Sequence, residues 1–288
     1  ASASPAKALS IVFIDTIDSS VPDFSNQFLL EASQNNLNIP KIKDSLKYMY
    51  DFFSEIRNGK KFVDGNFIEF FRHLFEKPEI LEWEKFWLQR NKDLDKEIYG
   101  LVKWVNPNLS FGLNVWNRNH FNLIRKIQWP WKEQVEYSDW VKPITYQHQS
   151  GEIFQREIDI FGKTIFNDLS SSELTKVFAK ILGINETSLE NLTQRGLDPD
   201  TYIYTQCKDA VRGVDGGSKV YMGIGIDAPR SSKDQAICTP DIAYRSVLAT
   251  YKAGGEGFVL SPNYSSMKLS NLDGVAKALK ELKIFKNE

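Results

Sequence analysis

The sequence predicts an α/β protein in which parallel β-strands alternate with crossover helices, and a (β/α) barrel of the TIM type is the arrangement that fits best. Short apolar runs of strand length recur along the chain, amphipathic stretches of helical period separate them, and two of the runs end in an aspartate. The clearest run, KVYMGIGID, combines alternating β-branched and glycine residues with an abrupt end at Asp227 and Pro229. This pattern is typical of a buried parallel strand whose carboxyl end carries a polar group.

Five such strands are predicted in all. They cover Ala8–Asp15, Leu109–Trp116, Trp140–Gln147, Lys219–Asp227 and Gly257–Ser261. The first ends in Asp15 as the fourth ends in Asp227, and Pro143 marks the third as irregular because proline cannot donate to a strand ladder.

Helices are predicted between the strands wherever apolar residues recur with a period near 3.6 and capping residues mark the ends. The predicted segments are 39–59, 78–105, 171–182, 187–193, 198–214, 239–253 and 271–282. Pro78 and the pair Thr239-Pro240 suit helix starts, with Thr239 as an N-cap. Strands and helices that alternate in this way form βαβ units with right-handed crossovers.

A barrel fits these units better than a doubly wound nucleotide-binding sheet. The turn after Asp15, TIDSSVPD, has no glycine, whereas a dinucleotide-binding fold needs a glycine-rich turn there. A complete barrel has eight strands, so the five predicted strands are three too few. Either the first three strands lie outside this sequence, or a partner covers the open sheet edge. We expect one barrel domain over residues 1–288, with residues 1–7 as a leader or linker.

Composition restricts the function classes. The 36 basic and 37 acidic residues nearly cancel, so there is no electrostatic argument for a nucleic acid or an anionic membrane as partner. No apolar run approaches the roughly 20 residues that span a bilayer, and no signal peptide is visible. Cys207 and Cys238 lack the spacing of a zinc site or a redox dithiol, so we expect no metal and no cofactor. Buried thiols are expected, and one disulfide stays open as an alternative.

Several long segments carry a resemblance to a known family. PEILEWEKFW, NPNLSFGLNVWNRNHF, YSDWVKPITYQHQSG and VYMGIGIDAP, followed by TPDIAYRSVLATYKAGGEGFVLSPNYSSMKLSNL, resemble the C-terminal part of glycoside-hydrolase-like (β/α)8 barrels of the Bacteroidetes and Planctomycetes type. In that register the five strands correspond to strands four to eight. The resemblance implies a carbohydrate substrate, a role in polysaccharide degradation and a secreted or periplasmic location. The first strand predicted here corresponds to the fourth strand of the family's barrel. The family has a glutamate at the end of that strand, where this chain has Asp15.

Hydrolysis of a glycosidic bond needs a proton donor and a second carboxylate. Asp15 and Asp227 end the strands that would lie on opposite sides of the barrel mouth, so we assign Asp15 as general acid/base and Asp227 as nucleophile or base. Asp18 is the substitute for Asp15. The alternative for each aspartate is an N-cap of the following helix.

Further polar and aromatic residues at strand ends are candidates for a sugar-binding rim, because sugars present both hydroxyl groups and a weakly apolar face. These are Asn114, Trp116, Asn117, His120, Tyr146, His148, Asn263 and Tyr264. Trp116 and Tyr146 could equally be core aromatics. Trp129-Pro130-Trp131 could be a surface clamp for a glycan or a buried loop plug.

The sequence therefore predicts a glycoside hydrolase that cleaves an oligo- or polysaccharide with paired carboxylates. The alternative is a barrel that binds carbohydrate without cleaving it, since the shorter Asp15 withdraws the acid and a misplacement near 1 Å can cost about 100-fold in rate.

Overall fold

The structure is a computed structural model that describes residues 25–116, 118–230 and 232–284. The chain divides into two compact units. Within the described residues, unit 1 comprises 25–97 and 158–174, and unit 2 comprises 98–157 and 175–284. The predicted leader, the predicted strand Ala8–Asp15 and the catalytic candidate Asp15 lie outside the described residues.

Unit 1 is built from helices. They are α1 (Asn26–Gln34), α2 (Ile39–Arg57), α3 (Asn66–Glu76) and the first part of α4 (Glu79–Val105). The Asn38 side chain accepts the Lys41 N–H and caps α2, where Pro40 fits the first turn. The apolar faces bury aromatic side chains such as Phe53, Phe70 and Trp83. Unit 1 therefore has an aromatic helical core.

Unit 2 contains a four-stranded parallel sheet and its crossover helices. The strands are β1 (Gly112–Val115), β2 (Trp140–Pro143), β3 (Lys219–Gly225) and β4 (Gly257–Ser261), in spatial order β1-β2-β3-β4. The connections hold α5 (Arg118–Phe121), α6 (Leu123–Gln128), α7 (Trp131–Gln134), α8 (Gln147–Gly162), α9 (Ser171–Leu182), α10 (Leu192–Arg195), α11 (Pro199–Val214) and α12 (Pro240–Lys252), and α13 (Leu269–Glu281) follows β4. Helices α8 and α9 have residues in both units.

The two faces of the sheet differ. On one face Val220, Met222 and Ile224 are buried, and Ile224 packs into a cluster formed with residues of α12 and α13. On the other face the side chains of Lys142 and Tyr221 are only half-buried and Asn114 is exposed. Pairing of Asn114 with Lys142 in register places those two on the same face. Within the described residues of unit 2, the sheet thus has one covered face and one half-open face, the face of Asn114, Lys142 and Tyr221.

The α/β class and the parallel sheet agree with the sequence. Strand β4 and helix α9 have the predicted bounds, and β1 and β3 are shorter than predicted by a few residues. Strand β2 ends at Pro143, not at Gln147, because α8 already begins at Gln147. The predicted helix 187–193 is wrong, since the only helical turn there, α10, begins at Leu192.

Both cysteines are buried and free, which decides against the disulfide. Burial raises the thiol pKa of each to about 12. Among the described helices, none combines the length and the apolar character that a membrane crossing requires.

Candidate functional site

The candidate site is the edge of the sheet at which all four parallel strands end. Trp116 follows β1, Tyr146 follows β2, Asp227 follows β3 and Tyr264 follows β4. Parallel strands place their carboxyl ends together, and α/β folds use that edge for ligands and chemistry. Because the strands are neighbours in the order β1 to β4, Trp116 and Tyr264 belong to opposite ends of the edge.

Asp227 is held by the helix that follows β4. Its Oδ2 accepts the Lys268 backbone N–H at 2.8 Å and the Asn271 side-chain amide at 3.1 Å. Lys268 Nζ lies 3.6 Å from Oδ1, and the Asp227 side chain is 13% exposed. Asp227 therefore ties the start of α13 to the end of β3, a capping role combined with a position at the mouth of the sheet.

The backbone of Asp227 is unusual. Its φ of 152° lies in a region that residues other than glycine rarely adopt. Such strain persists where surrounding contacts determine the conformation, and it concentrates at ligand sites. The strained backbone and the strand-end position are the two observations that keep Asp227 a functional candidate.

Tyr146 and His148 pack against β3 next to Asp227. Their rings are nearly parallel, at an interplanar angle of 3° with centroids 6.2 Å apart. A Cβ on Gly225 would lie 2.6 Å from His148 Cε1 and 2.9 Å from Tyr146 Cγ, so only glycine admits this packing. The glycines of the GIGID segment thus serve close side-chain packing.

The imidazole of His148 is kept neutral. Burial lowers its pKa to about 4, and the Ala228 backbone and the Asp227 charge oppose the shift only in part. The Nδ1 atom lies 3.3 Å from Gln147 Oε1. At neutral pH His148 therefore acts as a hydrogen-bonding group and not as a cation.

The remaining rim candidates fall into two groups. Asn114 is exposed, Trp116 is 63% exposed and Tyr264 is 85% exposed, so these three could reach a ligand. Asn263 is also exposed, but its Oδ1 accepts the hydroxyls of Ser265 and Ser266 and stabilises its own turn.

His120 differs from the exposed rim residues because it is buried. It is 2% exposed, and its Nδ1 is 3.1 Å from the hydroxyl of Tyr202 on α11. Burial, together with the charge of Lys126, lowers its pKa to about 3. His120 is among the residues around a pocket at the end of β1, between α11 and the helices that connect β1 to β2.

One residue of the site, Lys142, is not among the site residues that the sequence predicted. Lys142 of β2 lies on the half-open face, with Nζ 3.4 Å from Ser261 Oγ and Cε 3.0 Å from the position of a Cβ on Gly223. Burial lowers its pKa. A lysine at an alternating position of an otherwise apolar strand was the sequence signal that could have identified it.

Two site candidates, Asp15 and Asn117, lie outside the described residues, as does Asp18. Within residues 25–116, 118–230 and 232–284, no group of three histidine, cysteine or acidic side chains is placed to hold a metal ion. The site therefore brings together Asp227, Tyr146, His148 and Lys142, with the exposed rings of Trp116 and Tyr264 at its two ends.

Comparison of the chain with protein-family models, with curated proteins and with solved structures finds no match.

Proposed function

We propose that the chain binds carbohydrate at the carboxyl edge of β1 to β4, and that these strands form part of a (β/α) barrel of the glycoside hydrolase type. The observation that carries the proposal is the pair of exposed rings, Trp116 after the first strand and Tyr264 after the last. Three strand spacings separate β1 from β4, about 14 Å, which suits a ligand longer than one sugar ring.

The half-open face of the sheet supports the barrel. In a barrel one face of every strand points to the interior and the other packs on the helices. Buried Val220, Met222 and Ile224 correspond to the helix side, and Asn114 and Lys142 to the interior. The predicted strand Ala8–Asp15 would stand before β1 in that barrel.

The binding proposal is tested with a panel of oligosaccharides and calorimetric titration. The Trp116→Ala variant should weaken binding about fivefold, because aromatic contacts of this kind contribute about 1 kcal/mol. Trp104→Ala is the matched control, since Trp104 is an 83% exposed tryptophan of unit 2 that lies on α4. A panel without any bound glycan, or equal loss in both variants, would contradict the proposal.

Hydrolysis is the second candidate, and the strained strand-end position of Asp227 favours it. Asp227 would act as nucleophile or base, with Asp15 as the proton donor. The required geometry is a carboxylate separation of about 5–5.5 Å for retention or about 6.5–9.5 Å for inversion. The hydrogen bonds from Lys268 and Asn271 favour carbohydrate binding without hydrolysis, because both carboxylate oxygens of Asp227 already accept hydrogen bonds from the protein.

Turnover of aryl glycosides and natural glycans separates the two candidates. If the chain is a hydrolase, Asp227→Asn should reduce kcat at least about 100-fold, the effect typical of an acid/base group. Asp241→Asn is the control, because Asp241 is an exposed aspartate in the first turn of α12. Turnover that persists in Asp227→Asn removes Asp227 from the mechanism, and glycan binding without turnover in the unchanged chain supports the binding protein.

A further inference from the structure

The side chain of Lys142 crosses the half-open face of the sheet from β2 to β4. It passes over Gly223 of β3, where a Cβ would lie 3.0 Å from Lys142 Cε, and its Nζ donates to Ser261 Oγ at 3.4 Å. Ser261 is the last residue of β4. The ammonium group of Lys142 therefore lies beside the carboxyl edge of the sheet, although its backbone is in the middle of β2.

Two glycines of β3 leave space for this arrangement. Gly223 and Gly225 project to the same face, because residues two positions apart on a strand do so. A Cβ on Gly225 would lie 2.9 Å from Tyr146 Cγ, and Gly225 pairs with Ser261 in register. The Tyr146 ring and the ammonium group of Lys142 thus lie on one face of the sheet, next to the same pair of strand ends.

Lys142 has no carboxylate partner within residues 25–116, 118–230 and 232–284. Its hydrogen bond goes to the neutral hydroxyl of Ser261, and Asp227 of the same edge accepts instead from Lys268 and Asn271. Burial lowers the pKa of Lys142, as expected for a cation whose charge no nearby anion balances. A half-buried ammonium group without a counter-ion costs free energy, and a bound anion would offset part of that cost.

We propose that the strand edge binds a carbohydrate that carries an anionic group, a carboxylate or a sulfate ester, and that Lys142 selects it. This inference rests on the proposed carbohydrate binding and adds the class of sugar. The ammonium group donates to the anion, while the exposed rings of Trp116 and Tyr264 are available to the sugar rings. Carboxylate and sulfate share this chemistry, because a lysine recognises an anion as a point charge.

The test uses the full chain and two matched pairs of probes. One pair is trigalacturonate and its methyl ester, and the other is lactose sulfate and lactose. In calorimetric titration the anionic member of at least one pair should bind about tenfold more tightly than its uncharged counterpart, because hydrogen bonds between charged groups are the stronger ones. Preference within the first pair would identify a uronic acid, and preference within the second would identify a sugar sulfate.

Variants assign the preference to Lys142. Lys142→Met should weaken binding of the anionic member about tenfold and of the uncharged member by less than about twofold, since only the anion uses the ammonium group. Lys142→Gln, which keeps a polar group near Ser261, should give the same result. Lys219→Met is the matched control and should change neither, because Lys219 is exposed on the same face but begins β3 at the opposite end of the strand. Trp116→Ala should weaken both members alike.

Three results would overturn the inference while carbohydrate binding stands. They are equal binding of both members in each pair, a preference that survives in the two Lys142 variants, and an equal loss of both members in those variants. If no probe binds at about 10 mM, above the millimolar range of weak sites, the inference is also overturned. The wider panel of oligosaccharides then decides the proposed function separately.

Discussion

The two histidines of unit 2, His120 and His148, are buried more deeply than His73 of unit 1. In unit 1, Nδ1 of His73 lies 2.9 Å from the Tyr48 hydroxyl, and the charges of Glu69 and Glu76 partly offset the burial that lowers its pKa. In unit 2, burial lowers the pKa of His120 to about 3, with Lys126 adding to the effect, and that of His148 to about 4, against the opposing effects of the Ala228 backbone and the Asp227 charge. The imidazoles of unit 2 are therefore kept neutral.

The two units also differ in where their buried polar groups lie. Unit 1 uses its polar groups to join helices, as where buried Glu79 of α4 accepts the Ser45 hydroxyl of α2 at 3.1 Å and pairs with Lys41. Unit 2 places neutral imidazoles and a half-buried lysine at a sheet edge and in a pocket. Burial of such groups costs stability unless they are paired.

The largest expected effect tests whether unit 1 is structural. Phe53→Ala should lower the free energy of unfolding by about 4 kcal/mol, because it empties a fully buried site of the aromatic core. Phe75→Ala, at an 85% exposed phenylalanine of the same unit, should change it by less than about 0.5 kcal/mol. Urea unfolding followed by circular dichroism measures both. Similar losses in the two variants would show that unit 1 lacks the packed core described above.

The next effect is the dependence of stability on pH. The folded pKa values of His148 and His120, about 4 and 3, lie below the unfolded value near 6.5. As the pH falls through 6.5 the unfolded chain takes up protons first, so the stability present above pH 6.5 is lost towards pH 4. Each ring contributes a slope of at most about 1.4 kcal/mol per pH unit.

The loss of stability at low pH should come more from His148 of unit 2 than from His73 of unit 1. His148→Gln should flatten the fall of the unfolding free energy between pH 7 and 4.5, and His73→Gln should flatten it less, because carboxylates near His73 favour its protonated form. Urea titrations at a series of pH values give the slopes. A steeper contribution from His73 would contradict the ranking of the histidines by depth of burial.

The smallest effect concerns Lys142. Lys142→Met should raise the free energy of unfolding by about 1 kcal/mol, because it removes a cation whose pKa burial lowers. It should also weaken glycan binding at the strand edge. Lys219→Met, at an exposed lysine of β3, is the control and should alter neither quantity. A Lys142→Met chain that is less stable would show that the contact with Ser261 outweighs the cost of burial.

Local patterns predicted the elements whose ends are set by local chemistry. Helix α12 begins where Thr239 caps it and Pro240 fits its first turn, and both signals are visible in neighbouring residues. Helix α8 was missed because the run before it has strand character. Its start depends on distant contacts, such as the Leu197 N–H donated to the Gln147 carbonyl and the Gln149 amide donated to the Pro229 carbonyl.

By itself the sequence determined the α/β class, the parallel strands and the position of Asp227 at a strand end, because periodicity and chain breaks are properties of adjacent residues. Only the tertiary structure decided what Asp227 and His120 contact. The partners of Asp227, Lys268 and Asn271, lie 41 and 44 positions further along the chain, and Tyr202 lies 82 positions from His120. No local pattern encodes such pairs, because packing of the helices on the sheet brings them together.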